Sequence, residues 1–135
     1  SGNGEVVACD LSPAALAAVQ GAGVCDRTLA LDATDGVGAL ARVQEAGGTF
    51  DLVVNCASVP GTEMASLLAV KDGGTVLFFS MATSFTAAAL GAEGVGKDAA
   101  LVIGNGYVPG HADLTLGVLR RNPGLRRLFE ERYGR

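Results

Sequence analysis

The stretch Glu5-Val-Val-Ala-Cys-Asp10-Leu-Ser12-Pro13 decides the fold of this 135-residue chain. Its apolar run from Glu5 to Cys9 has the length of a strand and ends at the acidic residue Asp10. Ser12 and Pro13 then favour a helix start, and the helix is expected to continue over Ala14–Gln20. A strand that leads directly into a helix is the first half of a right-handed crossover unit.

The same alternation recurs along the chain. Four further apolar runs of strand length are Thr28–Leu31, Asp51–Asn55, Thr75–Ser80 and Ala100–Ile103. Helical patterns occupy Gly36–Ala46, Thr62–Val70, Thr83–Leu90, His111–Arg121 and Gly124–Arg132. Because the strand runs are nearly continuously apolar, they predict a parallel sheet covered on both faces. We therefore expect an α/β fold with a doubly wound, mostly parallel, Rossmann-type sheet.

The predicted sheet is incomplete. A dinucleotide-binding domain normally opens with a strand and a Gly-x-Gly-x-x-Gly turn, and neither precedes Glu5. Residues 1–135 are thus expected to be the C-terminal portion of such a domain, ending in a helical tail at about 111–133. The missing strand would be central, between those at Glu5 and Asp51. Either these two pair directly, a second chain supplies the strand, or the chain is a truncated piece or split product of a longer protein.

Composition and charge limit the partners. The net charge is −4 without an acidic or basic block, so nucleic acid is not an expected partner. Apolar runs end well short of the roughly 20 residues that cross a bilayer, and no signal pattern opens the chain. Cytoplasmic localisation without a membrane partner is the expectation. An edge strand at Ala100–Ile103 would allow a homo-oligomer.

Cysteine and histidine give little indication of a metal site. Cys9, Cys25 and Cys56 are odd in number and widely spaced, which predicts reduced thiols, each buried as a small apolar side chain. No metal-ligand spacing links them to His111, the one histidine, so no metal is expected. His111 is expected at the surface or at a helix start.

In open parallel sheets, ligands bind beyond the carboxyl ends of the strands. Asp10 is placed to accept hydrogen bonds from the adenosine ribose and to repel a 2′-phosphate, which favours NAD over NADP. Its alternative is an ordinary turn or helix-start residue. Three further turns follow strands, namely Asp32-Ala-Thr-Asp35, Asn55-Cys-Ala-Ser58 and Ser80-Met-Ala-Thr-Ser84. Helix capping and simple tight turns are their alternatives. The pattern Gly104-Asn-Gly106 through Gly110 is interpreted as a turn and not as a phosphate loop, because no strand with an acid follows it.

Three longer motifs point to a family. Val53-Val-Asn-Cys-Ala-Ser-Val-Pro-Gly-Thr-Glu63, Leu77-Phe-Phe-Ser-Met-Ala-Thr-Ser-Phe-Thr86 and Ile103-Gly-Asn-Gly-Tyr-Val-Pro-Gly-His111 together resemble the L-erythro-3,5-diaminohexanoate dehydrogenases, within the wider group of medium-chain dehydrogenase-like proteins. The resemblance implies NAD-dependent oxidative deamination of that amino acid to 5-amino-3-oxohexanoate in lysine fermentation, with this chain as the cofactor-domain part.

By position, the resemblance implies a set of cofactor contacts. Asp10 would hold the adenosine ribose, and Ala33 and Thr34 the adenine side, while Leu11 is a further cofactor-binding residue. The middle of the cofactor would contact Asn55, Cys56 and Ala57, and its nicotinamide end Ser80, Met81 and Ala82. The catalytic residues remain unknown, and the isolated chain is expected to be inactive. Two alternatives stay open: a non-catalytic nucleotide-binding module, and a zinc-type alcohol or quinone reductase.

Overall fold

A computed structural model describes residues 3–103 and 107–134 of the chain. In chain order the described elements are β1 (Val7–Asp10), α1 (Pro13–Gly21), β2 (Arg27–Ala30), α2 (Gly36–Glu45), β3 (Phe50–Asn55), α3 (Glu63–Ala69), β4 (Val70–Phe78), α4 (Phe85–Gly94), β5 (Ala99–Ile103), α5 (His111–Arg121) and α6 (Pro123–Tyr133). Every strand pair is parallel, so the predicted α/β fold with parallel strands is confirmed. The elements form two compact units.

The first unit contains β1, α1, β2, α5 and α6. β1 and β2 pair in register from Val7↔Arg27 to Asp10↔Ala30. α1 begins as predicted, because Ser12 Oγ accepts the N–H of Ala15 at 3.3 Å and Pro13 takes the first position. Within this unit, a Cβ added at Gly124 would lie 2.6 Å from the carbonyl oxygen of Ala22. Glycine at that position therefore lets the start of α6 approach the end of α1.

The second unit contains a three-stranded sheet in the order β3-β4-β5, with α2, α3 and α4 around it. Its core is apolar. Val70, Val76 and Phe78 of β4 are buried together with Ala88 of α4, and Leu67 of α3 is fully buried. Partly buried side chains that pack against this core are Val53, Ala99 and Leu101. One face of the sheet is thus covered by helices.

The opposite face of this sheet is open in the described structure. Side chains alternate across a strand, so the residues between the core positions point away from the helices. The strand register places them in two rows, Leu52-Thr75-Ala100 and Val54-Leu77-Val102, which we call the open face. Leu52, Val54 and Val102 are 57%, 49% and 45% exposed. The expectation of a sheet covered on both faces is therefore not met within the described residues.

Strand pairing bears on the expected gap in the sheet. Among the described residues, β1 has the single neighbour β2, and β3 has the single neighbour β4 at that edge. Each of these two strands therefore leaves one edge unpaired among the described residues.

β4 starts earlier than predicted, at Val70, with no break after α3. Its register against β3 shifts, since Phe50 pairs with Val70 but Leu52 pairs with Thr75. Gly74 lies inside this irregular part, where an added Cβ would be 2.9 Å from the carbonyl oxygen of Asp51. Gly73 and Gly74, which follow the helical pattern predicted over Thr62–Val70, are thus part of a strand irregularity that needs close backbone approach.

The three cysteines are free thiols. Cys9 and Cys56 are exposed, so the prediction that they are buried is wrong, while Cys25 is partly buried. Cys9 lies near the carboxyl end of β1, and Cys56 directly follows β3. Within residues 3–103 and 107–134, no group of three or more His, Cys, Asp and Glu side chains is close enough to hold a metal ion. In those same ranges, no helix has the length and apolar character needed to span a membrane.

Candidate functional site

Asp10 is the last residue of β1, where the sequence predicted it. Its Oδ1 accepts the N–H of Ser12 at 2.7 Å, which holds the turn into α1. Within the described residues, Oδ2 has no hydrogen-bond partner, and the neighbouring Leu11 is exposed. One carboxylate oxygen therefore shapes the turn while the other remains available to accept a hydrogen bond from a hydroxyl group outside the chain. A ribose hydroxyl can donate to such an acceptor.

The turn after β2 is held by its own side chains. Asp32 Oδ1 accepts hydrogen bonds from the backbone N–H of Thr34 at 2.8 Å and from its hydroxyl at 2.7 Å. These bonds lower the pKa of Asp32, and the bond from the Thr34 hydroxyl has the larger effect. Asp35 caps α2 by accepting the N–H of Gly38 at 2.9 Å, as the capping alternative expected. The Thr34 hydroxyl thus forms its hydrogen bond within its own turn. Ala33, between Asp32 and Thr34 in the sequence, is partly buried.

Asn55 ends β3, and its side chain is buried. Nδ2 donates to the hydroxyl oxygens of Thr62 and Ser66, at 2.9 Å in each case, and Oδ1 accepts the N–H of Ala57 at 3.1 Å. These bonds join the turn after β3 to the first two turns of α3. The Asn55 side chain is therefore used for positioning, and it leaves the exposed Cys56 and the partly buried Ala57 at the surface of the turn.

The turns after β3 and β4 lie side by side. The backbone oxygen of Asn55 accepts the N–H of Phe79 at 3.0 Å and that of Ser80 at 3.3 Å. Ser80 Oγ in turn accepts the N–H of Ala82 at 3.1 Å. The backbone oxygen of Asn55, at the end of β3, therefore binds the residues that directly follow β4. These two bonds fix the distance between the two turns.

An open cleft of about 570 Å³ lies between these turns. It is lined by Cys56, Ser58, Phe79, Ser80, Met81 and Ala82. Four residues predicted to contact a cofactor meet here, and Asn55 and Ala57 are their immediate neighbours. Ala33 and Thr34 do not line the cleft, and Asp10 and Leu11 belong to the first unit.

Sequence reasoning missed Glu63, a residue that bonds to the end of the loop bordering the cleft. Glu63, at the start of α3, is only 4% exposed, and its Oε1 accepts the N–H of Ser84 at 2.7 Å. Ser84 in turn caps α4 by accepting the N–H of Ala87 at 3.2 Å. An acid in the first turn of a helix is ordinary in sequence, so the pattern gave no sign that this carboxylate is buried. Thr83 Oγ1 beside it is buried without a partner in the part of the chain that the structure describes.

The cleft has the chemistry of a binding surface. Its lining offers two hydroxyls, one thiol, a fully exposed thioether and small side chains that allow close approach to the backbone. The lining residues include no carboxylate, imidazole or amine that would transfer a proton. His111, in the first unit, is exposed, as the prediction of a surface role expected. Its ring makes an edge contact with the ring of Tyr107, and the two ring centroids are 5.5 Å apart. Gly104 and Gly106 of the rejected phosphate-loop pattern lie outside the described residues.

Comparison with known proteins confirms the resemblance. No protein-family model matches the chain. The chain is 58% identical over 87 residues to L-erythro-3,5-diaminohexanoate dehydrogenase of Acetoanaerobium sticklandii, covering 64% of this chain and 25% of that protein. It is 50% identical over 104 residues to the protein of the same name from Fusobacterium nucleatum, covering 76% of this chain and 30% of that protein. The chain thus spans less than a third of the length of these two relatives.

Proposed function

We propose that this chain forms the cofactor-binding part of an NAD-dependent L-erythro-3,5-diaminohexanoate dehydrogenase that acts in the cytoplasm in lysine degradation. The observation that carries the proposal is the 58% identity over 87 residues to a dehydrogenase of that name. The parallel α/β fold and the cleft at the carboxyl ends of β3 and β4 support it, since cofactors bind at that edge of such sheets.

The proposed reaction is an oxidative deamination. The carbon that bears the 3-amino group loses a hydride and the resulting imine is hydrolysed. With the 3-amino group protonated at the start, 3,5-diaminohexanoate, NAD⁺ and water give 5-amino-3-oxohexanoate, ammonium, NADH and one proton. The bound nicotinamide serves as the hydride acceptor. The 5-amino group is retained, which fixes carbon 3 as the site of oxidation.

The residues of this chain bind and orient in that proposal. Asp10 accepts a ribose hydroxyl through the carboxylate oxygen that Ser12 does not use, and its charge disfavours a 2′-phosphate. The backbone of Cys56 and Ala57 meets the middle of the cofactor, and Ser80 to Ala82 border its nicotinamide end. The group that removes protons from the substrate amine is expected from sequence outside these residues, because the cleft lining contains none.

A chimera tests the proposal. The 87-residue matched segment of the Acetoanaerobium sticklandii enzyme is replaced by the corresponding segment of this chain, and formation of NADH and ammonium is followed with L-erythro-3,5-diaminohexanoate as substrate. We expect equal amounts of both products with NAD. The parent enzyme and a chimera carrying an unrelated parallel strand-helix segment are the positive and negative controls.

Two results would contradict the proposal. A chimera with the parent's circular dichroism and molecular mass that binds NADH but releases no ammonium would favour a non-catalytic nucleotide-binding module. Turnover of alcohols or quinones that depends on zinc would favour the alternative reductase class.

A further inference from the structure

We propose that the groove between α5 and α6 is a self-association surface, in which α6 of a second copy of this chain lies antiparallel to α6 of the first. The proposal goes beyond the proposed function, because it concerns contact between two copies and needs neither substrate nor nucleotide.

The groove is a largely apolar depression on the surface of the first unit, with a volume of about 460 Å³. The ring centroids of Phe129 and Tyr133 are 5.8 Å apart, and these residues are 45% and 66% exposed. None of the residues of α5 and α6, all of which the structure describes, is buried. Because most helical stability in proteins comes from packing of an apolar face, we expect a partner to cover this pair of helices. The lining includes Leu116 and Leu119 of α5 and Arg126, Phe129, Glu130 and Tyr133 of α6.

The charged residues of α6 limit what the partner can be. The helix contains Arg126-Arg127-Leu128-Phe129-Glu130-Glu131, with two cations before an apolar pair and two anions after it. Arg126 and Glu130 both line the groove, since residues four apart share one face of a helix. A partner that is only acidic would place a like charge against Glu130, and a partner that is only basic would do so against Arg126. The partner must therefore carry both signs, in the reverse order.

A second α6 has this reverse order when it runs antiparallel to the first. With a two-fold axis beside Leu128, Arg126 of each copy lies opposite Glu130 of the other, and the two Phe129 rings meet next to the axis. Within one chain, Arg126 Nε already donates to Glu130 Oε1 at 2.7 Å. A guanidinium has further N–H donors and a carboxylate has a second oxygen, so both side chains can also bond across the axis. The pair within each chain is thus kept in the dimer.

This surface is separate from the edge strand β5, which the sequence indicated as a site for a homo-oligomer. β5 belongs to the second unit, and the groove belongs to the first. A dimer formed through β5 would not depend on the charges of α6. Substitutions in α6 therefore distinguish the two surfaces.

Charge exchange tests the proposal. The 135-residue chain, Arg126→Glu and Glu130→Arg are compared by sedimentation equilibrium at low salt and about 100 µM chain, where screening is weak and association is favoured. We expect the parent to have about twice its monomer mass of 13.5 kDa. Each single variant places like charges opposite each other twice, so its dimer should be weaker by about tenfold or more. An equal mixture of the two variants should recover the dimer, since every pair across the mixed dimer then has opposite signs.

Two further variants serve as controls. Arg127→Glu makes the same charge change on α6 outside the groove lining, and it should associate as the parent does. The double variant Arg126→Glu with Glu130→Arg restores opposite signs across the axis and should dimerise alone. A defect confined to one chain would not be repaired by mixing two defective variants, so recovery in the mixture reports contact between copies.

Several outcomes would contradict the proposal. A parent chain with the monomer mass would show that a second copy does not fill the groove, and polypeptide outside these residues would be left as the occupant. A dimer that Arg126→Glu does not weaken, or that Arg127→Glu weakens equally, would place the interface elsewhere. Failure of the two single variants to associate when mixed would rule out the antiparallel register. The samples contain no nucleotide or substrate, so the result is independent of the proposed function.

Discussion

The carboxylate of Glu63 accepts the backbone N–H of Ser84 at 2.7 Å and so connects the start of α3 to the start of α4. The loop between β4 and α4, which borders the cleft through Ser80 to Ala82, ends at this bond. Because Glu63 is nearly inaccessible to water, little solvent competes for its carboxylate in this bond. The buried carboxylate thus fixes the position of a loop that is exposed on its other side.

Removing this acceptor should destabilise the fold. Glu63→Ala leaves the Ser84 N–H without its bond, and we expect the free energy of unfolding to fall by about 1–3 kcal/mol. Glu63→Gln retains an acceptor oxygen and should lose less. Urea unfolding followed by circular dichroism measures both. Glu93→Ala, at an exposed position of α4, should stay within about 0.5 kcal/mol of the parent. Equal effects of Glu63→Ala and Glu93→Ala would show that the bond contributes nothing.

Asn55 is the second positioning residue, because its side chain donates to Thr62 and Ser66 and accepts from Ala57. Asn55→Ala removes every hydrogen bond of this side chain, and a loss of about 2–4 kcal/mol in the free energy of unfolding is expected from the buried groups left unpaired. Asn55→Asp keeps an acceptor for the Ala57 N–H but loses the two donors, so its effect reports the contacts with α3. Ser58→Ala, exposed on the same turn, serves as the reference. A stability of Asn55→Ala equal to that reference would refute the positioning role.

Strand positions were well predicted because their signal is local. The apolar runs ending at Asp10, Asn55 and Ile103 lie within one or two residues of the observed strands, and the Ser12-Pro13 start of α1 is confirmed. Such features depend on neighbours in sequence. The start of β4 was missed since it depends on pairing of Val70 with Phe50, twenty positions away, which no local pattern at Gly73 and Gly74 reveals.

The site was less predictable than the strands for a similar reason. The sequence indicated which turns follow strands, and the structure brings the turns at Cys56 and Ser80 together. It gave no means to foresee that Asn55 turns inward or that Glu63 is buried, because both depend on tertiary packing around α3. The sequence pattern also could not predict which face of the sheet is covered by helices. An apolar strand run does not show which of its residues face a helix of the same chain.

Stability should decline in acid. Hydrogen bonding to Lys71 and its positive charge lower the pKa of Asp51 below the ordinary 3.8, and the bonds from Thr34 lower that of Asp32. A carboxyl whose pKa is lower in the folded than in the unfolded chain stabilises the fold above its unfolded pKa, and the effect is lost as pH falls through the folded pKa.

The free energy of unfolding should therefore fall as pH is lowered from above to below about 4. Asp51→Asn should flatten that dependence, and added salt should reduce the effect in the parent, since both partners of the pair are at the surface. Asp98→Asn is the control, because the Asp98 side chain forms no ion pair among the described residues. A parent and an Asp51→Asn variant with the same pH profile would contradict the assignment.

The isolated chain should bind NADH weakly. Tight binding needs backbone N–H groups on the pyrophosphate, usually from a glycine-rich turn at a helix start, and this sequence contains no Gly-x-Gly-x-x-Gly between a first strand and helix. Calorimetric titration of NADH into the 135-residue chain should give no saturation at micromolar concentrations. Saturable micromolar binding that NADH shows and ATP does not would be inconsistent with this account.

The role of Asp10 at the end of β1 is the central claim, and nucleotide preference tests it most directly. In a chimeric enzyme that carries the whole of this chain, Asp10→Asn keeps an acceptor for the Ser12 N–H, so the turn is preserved while the charge is removed. The account predicts that the ratio of kcat/KM for NAD to that for NADP falls by about tenfold or more, because one carboxylate-to-ribose bond and the repulsion of the 2′-phosphate are both lost. An unchanged ratio in a chimera that still turns over substrate would contradict it.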